Sequence, residues 1–341
     1  MTPRSAAPSG LHPVQPIRNP EQRRDFERQA GLFGLQERLQ FRAVYTREAL
    51  LYAAIGGPED APLVVLLHGF PDAWFGWGHQ IEALLDAGYR VALPDQRGYH
   101  YSDKPTSIDA YQLPLLGDDI VGLIEALGHK DAHVVGHDWG GAVTWWLAQY
   151  QSTSLRTATV LNCPDAAVMG QFLKRLYLKQ LLKSWYIVLF QLPKIPELLL
   201  AADDYRFLTT ALQDLSNPGA FSDDEVEAYR KAWSQPGALS GMVNWYRAAR
   251  RAMLSGPPPS TPAHGDNGSS TFPINTPTTV IWGKQDLALD PALVQPSAAR
   301  CKQARIHWLH QASHWVHRDA PQKVNDLILQ ALTDPPTTPV A

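Results

Sequence analysis

Val134-Val135-Gly136-His137-Asp138-Trp139-Gly140-Gly141 is the stretch from which the fold is read. Apolar residues run into it, and Thr144-Trp145-Trp146-Leu147-Ala148-Gln149-Tyr150 behind it has the pattern of a buried helix. The stretch therefore predicts a strand, a sharp turn and a helix. Glycines two residues before and two after Asp138 remove the Cβ atoms that would clash where such a turn meets its neighbours. The apex of this kind of elbow is usually serine; here it is Asp138. A carboxylate needs no general base to become a nucleophile, and at an sp³ carbon bearing a leaving group it gives an alkyl ester. Aspartate is also favoured as a helix N-cap. Within this stretch both readings stay open.

Upstream, Leu63 to Leu67 is an unbroken apolar run, the mark of a parallel strand covered on both faces. His68-Gly69-Phe70-Pro71-Asp72 follows as a turn whose backbone N–H groups face open space. A helix over 78–87, a strand over 90–94, a turn at Asp95-Gln96-Arg97-Gly98-Tyr99 and a helix over 115–127, stopped by Gly128, complete the approach. This alternation predicts an α/β fold with a right-handed, mostly parallel sheet. Nearer the N-terminus, residues 37–54 read as a hairpin closed near Arg47 and residues 21–30 as a short helix whose Arg23, Arg24 and Arg28, mixed among acids, make a solvated face. Residues 1–20, rich in Pro, Ser and Ala, read as an extended or disordered arm.

Downstream, the strand Thr157 to Leu161 ends at Asn162-Cys163-Pro164-Asp165, and the alternation then stops. Apolar residues recur at helical spacing over 168–212, Ser222 with Glu225 forms a capping box, and Met242 to Met253 is a further helix. An all-helical insertion between two strands predicts a lid over the sheet's C-terminal edge, where such sheets bind ligands. Residues 255–277, with Pro257-Pro258-Pro259 and a lone His264, read as a flexible loop. Thr279 to Gly283 resumes the sheet and delivers Asp286; Arg305 to Leu309 is the last strand and delivers His310 and His314. A helix over 321–332 closes the chain. The expected division is an arm at 1–30, a core at 31–164 and 276–341, a cap at 165–254 and a loop at 255–275.

The 341 residues are 45% hydrophobic and 18% charged, with a net charge of -3, which argues against disorder and against a nucleic-acid partner. Two cysteines, Cys163 and Cys301, suit a reducing compartment rather than a disulfide framework. Neither a membrane span nor a secretory signal is legible, so a cytoplasmic protein is expected, as monomer or homodimer. His307, His310, His314 and His317 cluster in sequence, but no H-E-x-x-H pattern accompanies them, and neither a metal nor a cofactor is expected.

Asp138, Asp286 and His314 thus stand in the chain order nucleophile, acid, histidine, each after a strand, which is the order of α/β-hydrolases. With His68-Gly69-Phe70-Pro71, Arg97-Gly98-Tyr99, Trp282-Gly283-x-x-Asp286 and Ser313-His314-Trp315, the chain resembles the epoxide hydrolase branch of that superfamily over roughly residues 38–332. The resemblance implies an α/β-hydrolase fold with a helical cap. It also implies two lid tyrosines facing the nucleophile, and Asn244-Trp245-Tyr246-Arg247 and Trp185-Tyr186 match the two tyrosine motifs. It further implies that Asp138 attacks a hydrophobic epoxide while Tyr186 and Tyr246 donate to the leaving oxygen. His314, oriented by Asp286, activates water against the ester, and the backbone N–H groups of Phe70 and Trp139 receive the oxyanion. Trp139, Trp185, Trp245 and Trp315 are the expected substrate-binding aromatics. Haloalkane dehalogenases share the aspartate and Trp139 but have no use for the tyrosine pair. Fluoroacetate dehalogenases usually carry arginine where Trp139 stands, and an esterase lacks its serine. A catalytically dead receptor typically loses a triad member. Asp165, after the preceding strand, is the rival to Asp286 for the acid.

Overall fold

The computed structural model describes residues 12–175, 177–255 and 273–338. Its nine strands form one sheet, in the order β1-β2-β3-β5-β4-β6-β7-β8-β9. They are β1 (Val14–Pro16), β2 (Leu39–Tyr45), β3 (Leu50–Gly56), β4 (Leu63–Leu67), β5 (Arg90–Asp95), β6 (Ala132–His137), β7 (Leu155–Leu161), β8 (Thr278–Gly283) and β9 (Ala304–Leu309). The first three pair antiparallel, β3 joins β5 antiparallel, and every later pairing is parallel. The strands that run into the site, β4, β6 and β8, are buried at every residue, as expected for strands covered on both faces.

The covering helices on the N-terminal side are α1 (Pro20–Gly31), α2 (Gly78–Asp86), α3 (Leu113–Ala126) and α4 (Trp139–Tyr150). Six more, α5 (Ala166–Lys174), α6 (Leu178–Lys183), α7 (Trp185–Leu189), α8 (Ile195–Gln213), α9 (Asp223–Trp233) and α10 (Ala238–Ser255), lie between β7 and β8. The chain closes with α11 (Val294–Ala298), α12 (Val316–Asp319) and α13 (Pro321–Thr333). The capping box is present: Ser222 Oγ accepts the Glu225 N–H while the Glu225 carboxylate accepts the Ser222 N–H at 2.9 Å.

The inserted helices are fastened to the loops that leave β4 and β5. Trp233 Nε1 donates to Pro71 O at 2.6 Å, Trp245 Nε1 to Arg97 O at 2.9 Å, and Tyr229 Oη to Asp72 Oδ1 at 2.7 Å. Their rings are almost fully buried. A side chain of that size contributes roughly 1.5–3 kcal/mol by leaving water, and the indole and phenol hydrogens still find acceptors.

The N-terminal segment goes beyond its expected reading. Val14–Pro16, inside the stretch expected as an extended or disordered arm, is extended and paired: it is the edge strand, in register with Arg42–Val44. Proline is tolerated there because an edge strand has one row of N–H groups without partners. Helix α1 shows the expected solvated face, with Arg23, Arg24 and Arg28 exposed, while its other side is buried: Phe26 and Ala30 are fully covered, and Phe26 stacks on Trp74 at 5.5 Å. Most of the loop expected at 255–275, with His264, lies outside the described residues.

Candidate active site

Asp138 occupies the apex between β6 and α4 with φ 48 and ψ -120, a left-handed strained backbone. The glycines around it are there for space. A Cβ on Gly136 would lie 2.2 Å from Gly140 O, and one on Gly140 would lie 2.2 Å from Leu67 O. Asp138 is positioned as N-cap of α4, yet its side chain makes no cap hydrogen bond. Its Oδ1 instead accepts the Phe70 N–H at 2.8 Å, from the loop after β4. The helix-capping reading is thereby set aside.

His314, in the loop after β9, lies between two carboxylates. Its Nδ1 is 2.9 Å from Asp286 Oδ2 and its Nε2 is 3.6 Å from Asp138 Oδ2. Asp286, just past β8, is itself well held: it accepts from Asn162 Nδ2 at 2.7 Å and from the N–H groups of Ala288 and Leu289 at 2.7 and 2.8 Å. Burial alone would discharge all three groups. For His314 burial works against the cation, but Asp286 and Asp138 override it and lift the imidazole to about 10. Burial likewise works against both carboxylates, and His314 holds each of them below the usual carboxylate range. Phe70 N–H adds to this for Asp138, and Asn162 and Leu289 N–H for Asp286.

Asp165, the rival acid, is engaged elsewhere. It caps α5 through the N–H groups of Ala167 and Val168 at 2.9 and 3.2 Å and pairs with Arg300 at 3.2 Å. Asn162 is the residue that sequence reasoning passed over. It ends β7 with φ 41, and besides Asp286 it binds Gly283 N–H through Oδ1 at 2.9 Å. The only signal for it was an asparagine at the end of a strand beside the catalytic edge.

Tyr186 on α7 and Tyr246 on α10 come together, ring centroids 5.8 Å apart at 79°. Burial raises both phenols above their ordinary range, and the Asp138 charge raises them further. Both therefore stay protonated at neutral pH within electrostatic reach of that carboxylate. Tyr246 meets Trp139 edge to face at 5.0 Å and Phe70 at 5.3 Å. Trp245 is buried behind Trp139, between it and Tyr99, at 5.7 Å from each. Trp315 is buried against His137 at 5.0 Å and edge-on to His314 at 5.8 Å. Trp185 does not join them: it is 58% exposed, with only edge contacts to Tyr186 and Phe207 at 6.4 Å.

The four histidines of the C-terminal stretch go separate ways. His310 is exposed, His307 half-buried on β9, and His317 fully buried beneath the triad with Asp72 and His137. Burial lowers His137 to about 3 and pushes Asp72 up to about 7. The donor atoms of this trio lie within 4.8 Å of one another, with His317 Nε2 4.0 Å from Asp72 Oδ2.

The family described as the alpha/beta hydrolase fold matches residues 62–321. The AB hydrolase superfamily protein YfhM of Bacillus subtilis is 44% identical over 85% of this chain and 96% of its own length. Epoxide hydrolase 1 of Caenorhabditis elegans is 34% identical over 85% of this chain and 70% of its own. Among solved structures, Epoxide Hydrolase A of Mycobacterium thermoresistibile superposes with a TM-score of 0.74 at 27% identity, over 87% of this chain and 99% of that one.

Proposed function

Because the chain belongs to the α/β-hydrolase family, in the group that holds the epoxide hydrolases, we propose that it converts a hydrophobic epoxide to a vicinal diol through an ester on Asp138. The observation that carries this reading is the pair of phenols, Tyr186 and Tyr246, packed together at 5.8 Å, with Tyr246 edge-on to Trp139, which follows Asp138 in the chain, and to Phe70, whose N–H binds Asp138. An epoxide's leaving group is an alkoxide, poor unless it accepts hydrogen bonds or a proton as it forms. A halide needs no such acid, so a haloalkane dehalogenase would leave both tyrosines idle. In this reading the helices between β7 and β8 serve as a cap, and the enzyme works in the cytoplasm with Cys163 and Cys301 both free.

Asp138 Oδ1 is held by Phe70 N–H, so Oδ2 is the attacking atom. It bonds to one epoxide carbon, that C–O bond breaks, and the released oxygen takes a proton from the phenol pair. Asp138 is then a neutral ester, and His314 has lost one of the two carboxylates that kept it protonated. Its pKa falls, its proton passes to the phenolate that ring opening left, and the imidazole becomes a base while Asp286 still orients it. Water deprotonated by His314 adds to the ester carbon. The oxyanion forms on Oδ1, against Phe70 N–H and the N-terminus of α4, where Trp139 N–H lies. Collapse breaks the Cγ–Oδ2 bond, the added hydroxyl's proton goes to the departing diol oxygen, and the carboxylate is restored with the water's other proton on His314.

The decisive experiment is one turnover of an epoxide in oxygen-18 water. Label retained in the Asp138 carboxylate supports the ester; label confined to the diol points to direct attack by water and overturns it.

A further inference from the structure

Helices α6 and α7 are amphipathic in the opposite sense from a water-facing surface. Their polar residues Gln180 and Ser184 are buried, Gln180 donating to Ser184 Oγ at 2.8 Å and to Ala288 O at 3.2 Å. Their apolar residues look outward: Leu182 is 67% exposed, Trp185 58% and Val188 73%. Leu178 and Leu182 on α6 and Trp185 and Val188 on α7 are spaced by four, three and three, and all four are exposed although Ser184 separates the two helices. Leu192, Ile195 and Leu198, next in the chain, are exposed as well. Scattered exposed apolar residues are ordinary on a protein surface; a run of them at helical spacing marks a surface that meets something apolar.

Charge identifies what that is. From Ala166 to Pro196 the sequence carries Lys174, Arg175, Lys179, Lys183 and Lys194 and no acidic residue, in a chain of net charge -3. Lys183 is turned inward, to Asp286 O at 2.7 Å. Lys174, Arg175, Lys179 and Lys194 are exposed, and among the described residues none of them forms an ion pair. We propose that this face docks on an anionic lipid surface, with its leucines, valine and tryptophan among the headgroups and its cations on the phosphates. An apolar stripe with an interfacial tryptophan and flanking Lys and Arg is the composition that such surfaces bind. Docking of this kind lies in the interface; no helix among the described residues is long and apolar enough to cross a membrane.

A second copy of the chain is the other occupant to weigh. A two-fold contact sets a patch against itself, so it would bring the four exposed cations together with no acid in the segment to answer them. Like charges facing each other in this way disfavour association. Anionic headgroups answer all four. The docked face carries Trp185, chain neighbour of Tyr186, so a lipophilic compound dissolved in the bilayer would meet the protein on the side of the site. That corollary rests on the proposed reaction; the docking does not.

The test is co-sedimentation of the full chain with phosphatidylcholine vesicles, with and without phosphatidylglycerol, at low and high salt. Binding is expected only with phosphatidylglycerol and is expected to weaken with salt. The triple variant Lys174→Gln, Arg175→Gln, Lys179→Gln is expected to lower partitioning on the order of 100-fold at low ionic strength. Leu182→Ser with Val188→Ser is expected to lower it as well, and both variants, altered only at exposed side chains, keep the wild-type circular dichroism. Absence of binding to phosphatidylglycerol vesicles overturns the proposal, and so does equal binding to phosphatidylcholine alone. A wild-type dimer in analytical ultracentrifugation that the Leu182→Ser, Val188→Ser variant loses overturns it in favour of a subunit contact.

Discussion

Asn162 donates its Nδ2 to Asp286 Oδ2 at 2.7 Å, so the end of β7 fixes the acid that follows β8. The bond does two things: it stabilises the Asp286 charge, and it leaves that carboxylate one orientation toward His314. A hydrogen bond to a charged group contributes about 1.5–3 kcal/mol. Asn162→Ala is therefore expected to slow breakdown of the ester roughly 10- to 100-fold, with the alkylation burst changed much less. Stopped-flow kinetics separates the two phases. Equal loss in both, or in neither, would show that Asn162 does not act through Asp286.

His314 is assigned to the second half-reaction alone. His314→Gln should consume one equivalent of epoxide and stop, leaving an adduct of substrate mass on the intact protein. A variant that forms no adduct places His314 in the attack as well. Asp138→Ala, by contrast, should neither trap nor turn over substrate while remaining folded.

How far these assignments were open to reading depended on what each signal consists of. The elbow was legible because Gly136, Asp138 and Gly140 answer a local steric demand, and local demands leave their mark in local sequence. The strands β4, β6 and β8 were legible for the same reason, as continuous apolar runs. Asn162 was not, since its role arises only when β7 and β8 lie side by side, 121 residues apart at Gly283. Composition allowed an extended Val14–Pro16 but not its pairing, because a three-residue edge strand is held by the register of its neighbour, not by its own residues. Trp185 misled by adjacency: successive residues on a helix point in different directions, so Tyr186 can face the site while Trp185 faces outward.

The protonation of His314 supplies a signed pH prediction. Its folded pKa of about 10 lies above its ordinary 6.5. Its contribution to stability is thus complete below the unfolded value and is lost as pH rises through the folded one. Asp138 and Asp286, both depressed, contribute above 3.8 and lose that contribution as pH falls. Stability should therefore hold across the neutral range and fall on both sides. Asp138→Asn removes one of the charges that raise His314, so it should lower the His314 pKa and move the alkaline fall to lower pH. An NMR titration of the imidazole, with urea midpoints against pH, checks both. An unshifted pKa in Asp138→Asn would mean that Asp286 alone sets it, and the account of how ester formation turns His314 into a base would fail.

The tyrosine pair decides between the proposed reaction and dehalogenation. In the proposed reaction Tyr186 and Tyr246 supply the proton that a leaving epoxide oxygen needs, whereas a halide leaves without one. Removing one donor of this kind costs about 10²- to 10³-fold in rate. Tyr186→Phe and Tyr246→Phe should each slow ring opening to that extent, and the double variant should lose more. The fold should tolerate both, because phenylalanine keeps nearly all of the buried apolar area and the ring contacts with Phe190 at 5.5 and 5.0 Å. Burst kinetics on an epoxide, run beside halide release from a terminal haloalkane, measures both activities on the same samples. The wild type should release little halide. If halide is released readily, and equally well by the Tyr→Phe variants, then the phenols beside Asp138 have no leaving oxygen to serve and the protein is a dehalogenase.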